Sequence, residues 1–424
     1  KPSTQSNQQP HKRKIMKRKL LKQMLNEWRS NVWIVVELVI VLLVLQLIFG
    51  IMFSIYEMKQ PVLDTDLRDI YVADINRLDP EADDYTPYDS VHSDATDLEM
   101  LITRLRSNPC VEKVGYGTSN AVPYQYNFWG TSVSLPGDDE HSYSVNNRGM
   151  SPEMLEVLEI RGAKGESPAQ LAAMMRKGYI LLSEADCRYN DNTLRAADLA
   201  GKDVEMDRNR EAVRHVGAIA QDMRRSDFEP AYSATCYSPV EPGEASRIAV
   251  RLKPGTGHRF AESLTVADQQ SGNIFLTNLT SLSDKRELCQ MDITQMVQGI
   301  TVCALFVLVM IFLGFLGTFW FRTQQRVPEI AIRKVNGATN RDIYMRFFGE
   351  GLLLLAVSVV IALPVTVWIV KNLADIMEMD VTQSSLVAAS IFSAVLLSLL
   401  IIAGIYAPAR KAATVNPAEA LKDM

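Results

Sequence analysis

Four long apolar runs, at 32–55, 295–321, 351–370 and 386–406, divide the chain into unlike materials. Each is near the ~20 residues that an α-helix needs to cross the hydrocarbon core of a bilayer. The stretch 56–292 between the first two reads differently, with short apolar clusters separated by Gly, Pro and charged residues. Helical spacing predicts a helix over 94–107, with Leu98, Leu101, Ile102 and Leu105 on one side, and helical pattern returns at 151–160, 168–175 and 258–267. Runs rich in β-branched or aromatic residues at 111–116, 179–182, 213–220 and 248–252 predict short strands. The pattern therefore predicts a membrane protein with four transmembrane α-helices plus a large α+β extracytoplasmic domain between helices 1 and 2. That domain is long enough for one large or two small bodies, and it accommodates an α/β part formed by both of its ends and a second part near 120–221.

Charge sets an orientation. Nine Lys/Arg against one acid, Glu27, precede the first span, and the loop 322–346 carries six against two. By the positive-inside bias both face the cytoplasm. The insert 56–292 carries 25 Lys/Arg against 39 Asp/Glu, and the loop 371–385 one Lys against Asp375, Glu378 and Asp380, so both are expected outside. The expected order is a cytoplasmic tail over 1–31, the insert after the first span, a cytoplasmic loop 322–346, a short outer loop 371–385, and a cytoplasmic tail 407–424. Within the first tail, Leu20, Leu21, Met24, Leu25 and Trp28 recur at helical spacing beside Lys17, Lys19 and Lys22, as in a helix lying in the inner interface or a plain basic flank. The first apolar segment is long and begins after about thirty residues, so it is expected to stay as an anchor. The mean hydropathy of +0.00 is an average over apolar spans and a polar insert. An acidic outer domain argues against nucleic acid as a partner.

The chemistry of several enzyme classes is missing. The chain has no Gly-rich loop ending in Gly-Lys-Ser/Thr for holding nucleotide phosphates, and no GxSxG nucleophile elbow. No catalytic residues are expected. The histidines are dispersed, with no HExxH or CxxC spacing, so no metal ligands are expected either. Cys110, Cys187, Cys236 and Cys289 of the insert admit three disulfide pairings or unpaired thiols. Tyr124, Tyr126, Phe128 and Trp129 form an aromatic cluster suited to core packing or to a partner surface. Glu37 and Glu350 fall near the inner ends of their spans, where pairing with basic residues is expected rather than a proton relay. Gly314 and Gly317 are candidates for helix packing, either at a dimer seam or against another helix of the same subunit.

The loop between the second and third spans is the most punctuated part of the chain. It reads Arg-Val-Pro-Glu-Ile-Ala-Ile-Arg-Lys-Val-Asn-Gly-Ala-Thr-Asn-Arg-Asp-Ile over 326–343. Pro328 suits a first helical turn and Gly337 a left-handed stop, giving about two turns. Thr339 with Asp342 then forms a capping box with Asp in place of Glu or Gln. Glu329, Arg333 and Lys334 are expected to project from this short helix, with Ile330 and Val335 on its other side. It reads as a docking element.

This string resembles the EIGIRKALGA-type signature after the second transmembrane helix of MacB/FtsX-type ABC transporter permeases. Glu329, Ile330, Ile332, Arg333, Lys334, Gly337 and Ala338 match, while Ala331 and Asn336 replace a common Gly and Leu. The ending Asn416-Pro417-Ala418-Glu419-Ala420-Leu421 is similar to the family's NPAEAL. Three pieces of the insert resemble its periplasmic domain in order: 181–184, 216–222 and 250–255. The resemblance implies a non-catalytic permease subunit in a bacterial inner membrane, with both termini cytoplasmic. Its coupling loop contacts a separate ABC ATPase through Glu329, Ile330, Arg333, Lys334, Val335, Gly337 and Ala338. No cofactor is implied for this chain, since ATP and Mg are bound by the partner ATPase. A second permease subunit, most simply in a homodimer, membrane lipid, and a periplasmic adaptor or envelope protein are the further partners implied. The output would be efflux of antibiotics, peptides or lipoproteins, or transmembrane mechanotransmission. A membrane-anchored receptor recruiting a different cytoplasmic protein is the rival reading.

Overall fold

The computed structural model describes residues 28–89, 92–125, 130–138, 140–184, 194–206, 212–228, 234–377 and 382–414. The 17–27 segment of the expected interfacial helix, the 416–421 ending, Cys187, and Tyr126, Phe128 and Trp129 lie outside them. The chain forms two compact units, one of Met58–Thr294 and one of Lys1–Glu57 with Gln295–Met424.

In chain order the elements are α1 (Trp28–Met58), β1 (Ile70–Arg77), α2 (Asp94–Ser107), β2 (Val111–Gly117), β3 (Gly130–Ser134), β4 (Tyr143–Met150), α3 (Pro152–Val157) and α4 (Pro168–Met175). They continue with β5 (Ile180–Ser183), α5 (Ala196–Leu199), β6 (Asp203–Met206), β7 (Ala212–Ala220), β8 (Ala234–Pro239), β9 (Arg247–Leu252), α6 (Gly257–Ser263) and α7 (Val266–Gln269). The last are β10 (Gln270–Ser271), β11 (Ile274–Ser281), α8 (Leu282–Gln325), α9 (Val327–Val335), α10 (Asn340–Met377) and α11 (Gln383–Thr414).

In the α+β unit, β11, β1, β9 and β2 are neighbours in that order, every pair antiparallel. With α2 between β1 and β2 and α6 between β9 and β11, this is a split β-α-β arrangement of the ferredoxin-like kind. Its two halves are interrupted between β2 and β9 by a second body. There β4 pairs with both β3 and β8, and the order β4, β3, β6, β7, β5, β8 returns to β4, closing a six-stranded ring. Full closure leaves that sheet without an exposed edge. The interrupting body runs through β8 to Pro239, beyond the 221 expected from the pattern. Expected helix 258–267 is broken into α6 and α7 at Leu264 and Thr265.

Local chemistry explains the elements that stand where the spacing put them. Ser93 caps α2 by accepting from the Thr96 amide while Thr96 Oγ1 accepts from the Ser93 amide, a reciprocal capping box. Ser167, Pro168 and Gln170 start α4 in the same manner. On α2, Leu98, Leu101, Ile102 and Leu105 are buried in one cluster with Val114, Val250 and Phe260. Each fully buried Leu or Ile side chain contributes ~1.5–3 kcal/mol relative to exposure. A second cluster fills the ring with Val133, Val145, Ile180, Leu182, Val204 and Val216. A third spans both bodies, joining Ile70, Val72 and Ala249 to Leu181 and Tyr237, which is why they form one compact unit. Gly115 is required there, because a Cβ would stand 2.6 Å from the Met154 Cα of α3.

Asp227 ties the unit's two ends together. Fully buried, it accepts from the Tyr124 hydroxyl at 2.9 Å and from Arg286 Nε at 2.6 Å, and its carbonyl accepts from the Gln60 amide at 3.0 Å. Tyr124 is therefore core, and burial, reinforced by the Asp227 charge, holds its hydroxyl well above the ordinary tyrosine range. Cys110 and Cys236 are buried free thiols. Burial pushes the Cys236 thiol up to about 12, so it is inert as a nucleophile.

Four helices are long and apolar enough to cross a membrane: Val32–Met58, Leu282–Gln325, Asn340–Asn372 and Gln383–Lys411. Their shared interior holds Leu38, Leu42 and Leu45 of α1, Leu354 and Leu355 of α10, and Leu397, Ile401 and Ile405 of α11. Phe49 meets Phe392 edge-on, with ring centroids 4.7 Å apart. Polar groups are sparse and used as ties: Thr366 Oγ1 donates to the Gln46 side-chain oxygen, and Thr382, Ser384 and Ser385 donate to the Glu57 carboxylate.

Candidate functional site

The short helix α9, between α8 and α10, carries Glu329, Ile330, Arg333, Lys334 and Val335 of the residues expected to dock a partner, and Gly337 and Ala338 form the turn that ends it. Pro328 stands in its first turn. At its end the Gly337 amide donates to the Lys334 carbonyl at 2.9 Å and the Ala338 amide to the Arg333 carbonyl at 3.0 Å, with Gly337 at φ +85°. Those two bonds define a Schellman stop, which needs a left-handed residue there. Thr339 then donates from its amide to Asp342 Oδ2 at 3.0 Å and accepts from the Asp342 amide at 3.3 Å, opening α10. The C-terminal end of the helix is thus fixed by bonds within the loop itself, while its N-cap residue, Arg326, makes no side-chain capping bond.

Its two faces differ. Ile330 and Ala331 are 5% and 3% exposed and pack toward Ile343 and Phe347 of α10. Ile332 and Val335 point away, 48% and 67% exposed and three residues apart on one face. Ile330 is therefore an inward anchor for the chain's own fold, and of the two apolar anchors expected for a partner only Val335 lies on the open face. Ile332 joins it there. The sequence signal for Ile332 was its i,i+3 spacing from Val335, but a helix with apolar residues on two sides does not say which side its own chain covers.

The charged groups are braced. Glu329 accepts from Arg333 Nη2 at 2.6 Å and Nε at 3.1 Å, and from Arg346 Nη2 of α10 at 3.4 Å. Partial burial raises the Glu329 pKa, but the Arg333 hydrogen bond and the Arg346, Arg333 and Arg326 charges outweigh it, leaving the carboxyl below its ordinary range. Glu329 and Arg333 thus hold each other, with Arg333 exposed and Lys334 half-buried. Beside them, Glu350 accepts from Arg326 Nη1 at 2.7 Å, with Arg322 Nη1 3.9 Å away. The expectation that Glu350 pairs with basic residues at that boundary matches this geometry. Ala338 is half-buried, and a small notch of about 70 Å³ remains among Arg326, Arg333, Arg346 and Phe347.

Gly314 and Gly317 do not seat a helix of this chain. A Cβ on Gly317 would meet nothing within 4 Å, and one on Gly314 would meet only Glu37 Oε1, at 3.8 Å. The close approach is made instead at Gly404 of α11, where a Cβ would stand 3.7 Å from the Leu316 amide nitrogen of α8. Among the described residues no group of three His, Cys, Asp or Glu side chains is placed to hold a metal ion.

Four helices long and apolar enough to cross a membrane, with a braced, basic, two-faced helix between the second and third, are the arrangement of a multi-pass membrane protein. Residues 301–417, which include α9, match the model of the FtsX-like permease C-terminal family. The chain is also similar to the crystal structure of the extracellular domain of the noncanonic ABC-type transporter YknZ from Gram-positive bacteria. That likeness covers 49% of this chain and 100% of that one at 10% identity, with a TM-score of 0.30, a value that does not establish a shared fold. No curated protein matches the chain.

Proposed function

We propose that this chain is the permease subunit of a MacB/FtsX-type ABC transporter, and that a separate cytoplasmic ATPase docks on the exposed face of α9. The observation that carries the reading is the helix itself. A nine-residue helix stopped by a Schellman turn, anchored inward by Ile330 and braced by Arg346, leaves Ile332, Val335 and Arg333 outward in the family-matching segment. A loop with no partner has no need of a fixed helix stop and an outward apolar pair.

On this reading Lys/Arg distribution puts α9 and both termini in the cytoplasm of a bacterial inner membrane and the acidic α+β unit outside. The chain performs no catalysis and binds no cofactor; ATP and Mg are held by the ATPase. Two permease subunits pair, and the open Gly317 surface of α8 suits a seam between copies. ATP-driven movement of the dock passes into α8, a single helix of 44 residues. The work done is export of antibiotics, peptides or lipoproteins, or mechanical signalling through an adaptor or envelope protein.

Copurification in detergent with a coexpressed ABC ATPase from the same operon tests this. Ile332→Asp with Val335→Asp should abolish association and ATPase stimulation while leaving the thermal midpoint of the permease unchanged. Retained association with the double variant would remove α9 as the dock and favour a receptor recruiting some other protein elsewhere.

A further inference from the structure

The α+β unit contains a cavity of about 390 Å³ beside the junction of β2 and β4, where the ferredoxin-like sheet and the closed ring part. Its size falls in the range of small-ligand sites, ~300–1,000 Å³. Its wall mixes apolar surface with a linked set of polar side chains. Asn120, 1% exposed, accepts from Thr118 Oγ1 at 2.7 Å and donates from Nδ2 to the Asn147 carbonyl at 2.6 Å. Asn147 Oδ1 in turn accepts from Ser238 Oγ at 2.7 Å. This chain of bonds fixes the Asn147 amide with its oxygen committed and its Nδ2 donors without a partner among the described residues.

Two charges share the cavity. Arg214 of β7 and Glu244, in the short turn Pro242–Glu244, both line it. Neither forms an ion pair among the described residues, with the other or with any third group. Arg77, Arg176, Arg247, Arg251 and Arg286 of this unit are each matched to an acid, whereas Arg214, like the exposed Arg161 and Arg259, forms no ion pair among the described residues; what sets Arg214 apart is that an unpaired acid lines the same cavity. A cation and an anion that line one hollow without pairing, with oriented amide donors in the same wall, form the complement of a molecule that itself carries both charges.

We propose that this cavity binds a small zwitterion, with its carboxylate on Arg214, its ammonium on Glu244, and its polar core on Asn147 and Ser238. Free amino acids and short peptides carry that chemistry. A guanidinium donates to a carboxylate in bidentate fashion, and charge-assisted bonds of this kind are the stronger class. The site stands independently of where an ATPase docks.

The test uses the full chain in detergent and saturation-transfer NMR with three probes: alanine, Ala-Ala-Ala with free termini, and the same tripeptide acetylated and amidated. Saturable binding of alanine or of the free tripeptide, with none of the blocked one, is expected. Alanine binding as well as the tripeptide would identify an amino-acid site; binding of the tripeptide alone would identify a peptide site. Arg214→Gln and Glu244→Gln, both at exposed positions, should each weaken binding at least about tenfold with the thermal midpoint unchanged. The proposal is overturned if neither zwitterion saturates, if the blocked peptide binds equally, or if both variants bind like wild type.

Discussion

Replacing Asp227 by Asn isolates the tie that holds the start and end of the α+β unit. The change keeps shape and removes charge. Its carboxylate is fully buried and receives Tyr124 Oη at 2.9 Å and Arg286 Nε at 2.6 Å. In the variant one side-chain atom remains an acceptor, enough for Tyr124, but the other becomes a donor facing the Arg286 donors. Bonds to charged groups are worth ~1.5–3 kcal/mol each, and breaking a fully buried pair costs ~3–5 kcal/mol. The Arg286 side chain is 36% exposed, so water recovers part of that loss, and about 3 kcal/mol is expected. For a unit of this size each kcal/mol moves the thermal midpoint by roughly 2–4 °C, so the transition should fall by about 6–12 °C. Differential scanning fluorimetry of the full chain in detergent reads this. Tyr124→Phe should cost only about 1 kcal/mol, since Arg286 still satisfies Asp227. The double variant should lose about as much as the two singles together, less the coupling of shared contact. A fall under about 2 °C for Asp227→Asn, or a larger fall for Tyr124→Phe, would refute the assignment of Asp227 as the hub.

Four further outcomes follow from the geometry. Gly337→Ala places a Cβ at φ +85° where nothing crowds it, so the cost is conformational, about 1–2 kcal/mol, and should appear as faster amide exchange at Gly337 and Ala338. Because the Glu329 pKa is depressed in the folded chain, its bracing of Arg333 and Arg346 is complete above the ordinary glutamate range and is lost as pH falls through the folded value. Amide exchange over α9 should therefore accelerate on acidification below the ordinary glutamate range in wild type and not in Glu329→Gln, which should be fast throughout. Gln46→Leu should change stability by less than about 1 kcal/mol, since Gln46 Nε2 is buried without a partner among the described residues and Thr366 keeps its bond to the Ala362 carbonyl. Gly404→Leu should lower the thermal midpoint more than Gly317→Leu does, because only Gly404 is closely approached by another helix of this chain.

The parts of the fold legible from residue order are those settled within one or two turns of chain. Ser93, Ser167 with Pro168, and Thr339 with Asp342 mark helix starts by side chains that reach their own neighbours, and Gly337 marks a stop by its backbone alone. The ring was not legible, because it closes through the parallel pairing of β4 with β8, whose register matches Val145 to Ala234 across nearly ninety intervening positions. β1 and β11, which complete the ferredoxin-like sheet, were likewise missed: β1 carries Asp74 and Asn76 and β11 carries Thr277 and Asn278, breaking the apolar run. Those polar residues are placed by pairing across the sheet, where Asn76 donates to Thr277 at 2.6 Å and Asn278 to Asp74 at 2.9 Å.

The same distinction governs α9. Its existence, ends and charge could be read from Pro328, Gly337 and the Arg-Lys pair, but its orientation depends on Ile343 and Phe347 of α10, which take Ile330 inward. Glu329 follows from that choice, since turning Ile330 in brings the carboxylate to Arg346 as well as to Arg333. The signature residues of the loop thus divide into two duties. Ile330, Glu329 and Gly337 hold the helix in place, Ile332 and Val335 are what it presents, and Arg333, exposed yet bonded to Glu329, does both. Substitutions in the first group should weaken any docking indirectly, with a loss of α9 amide protection before partner is added; those in the second should weaken it with protection intact. Measuring both quantities on the same set of variants separates a scaffold from an interface, and a surface variant such as Val335→Asp that stripped protection from the free chain would collapse that division.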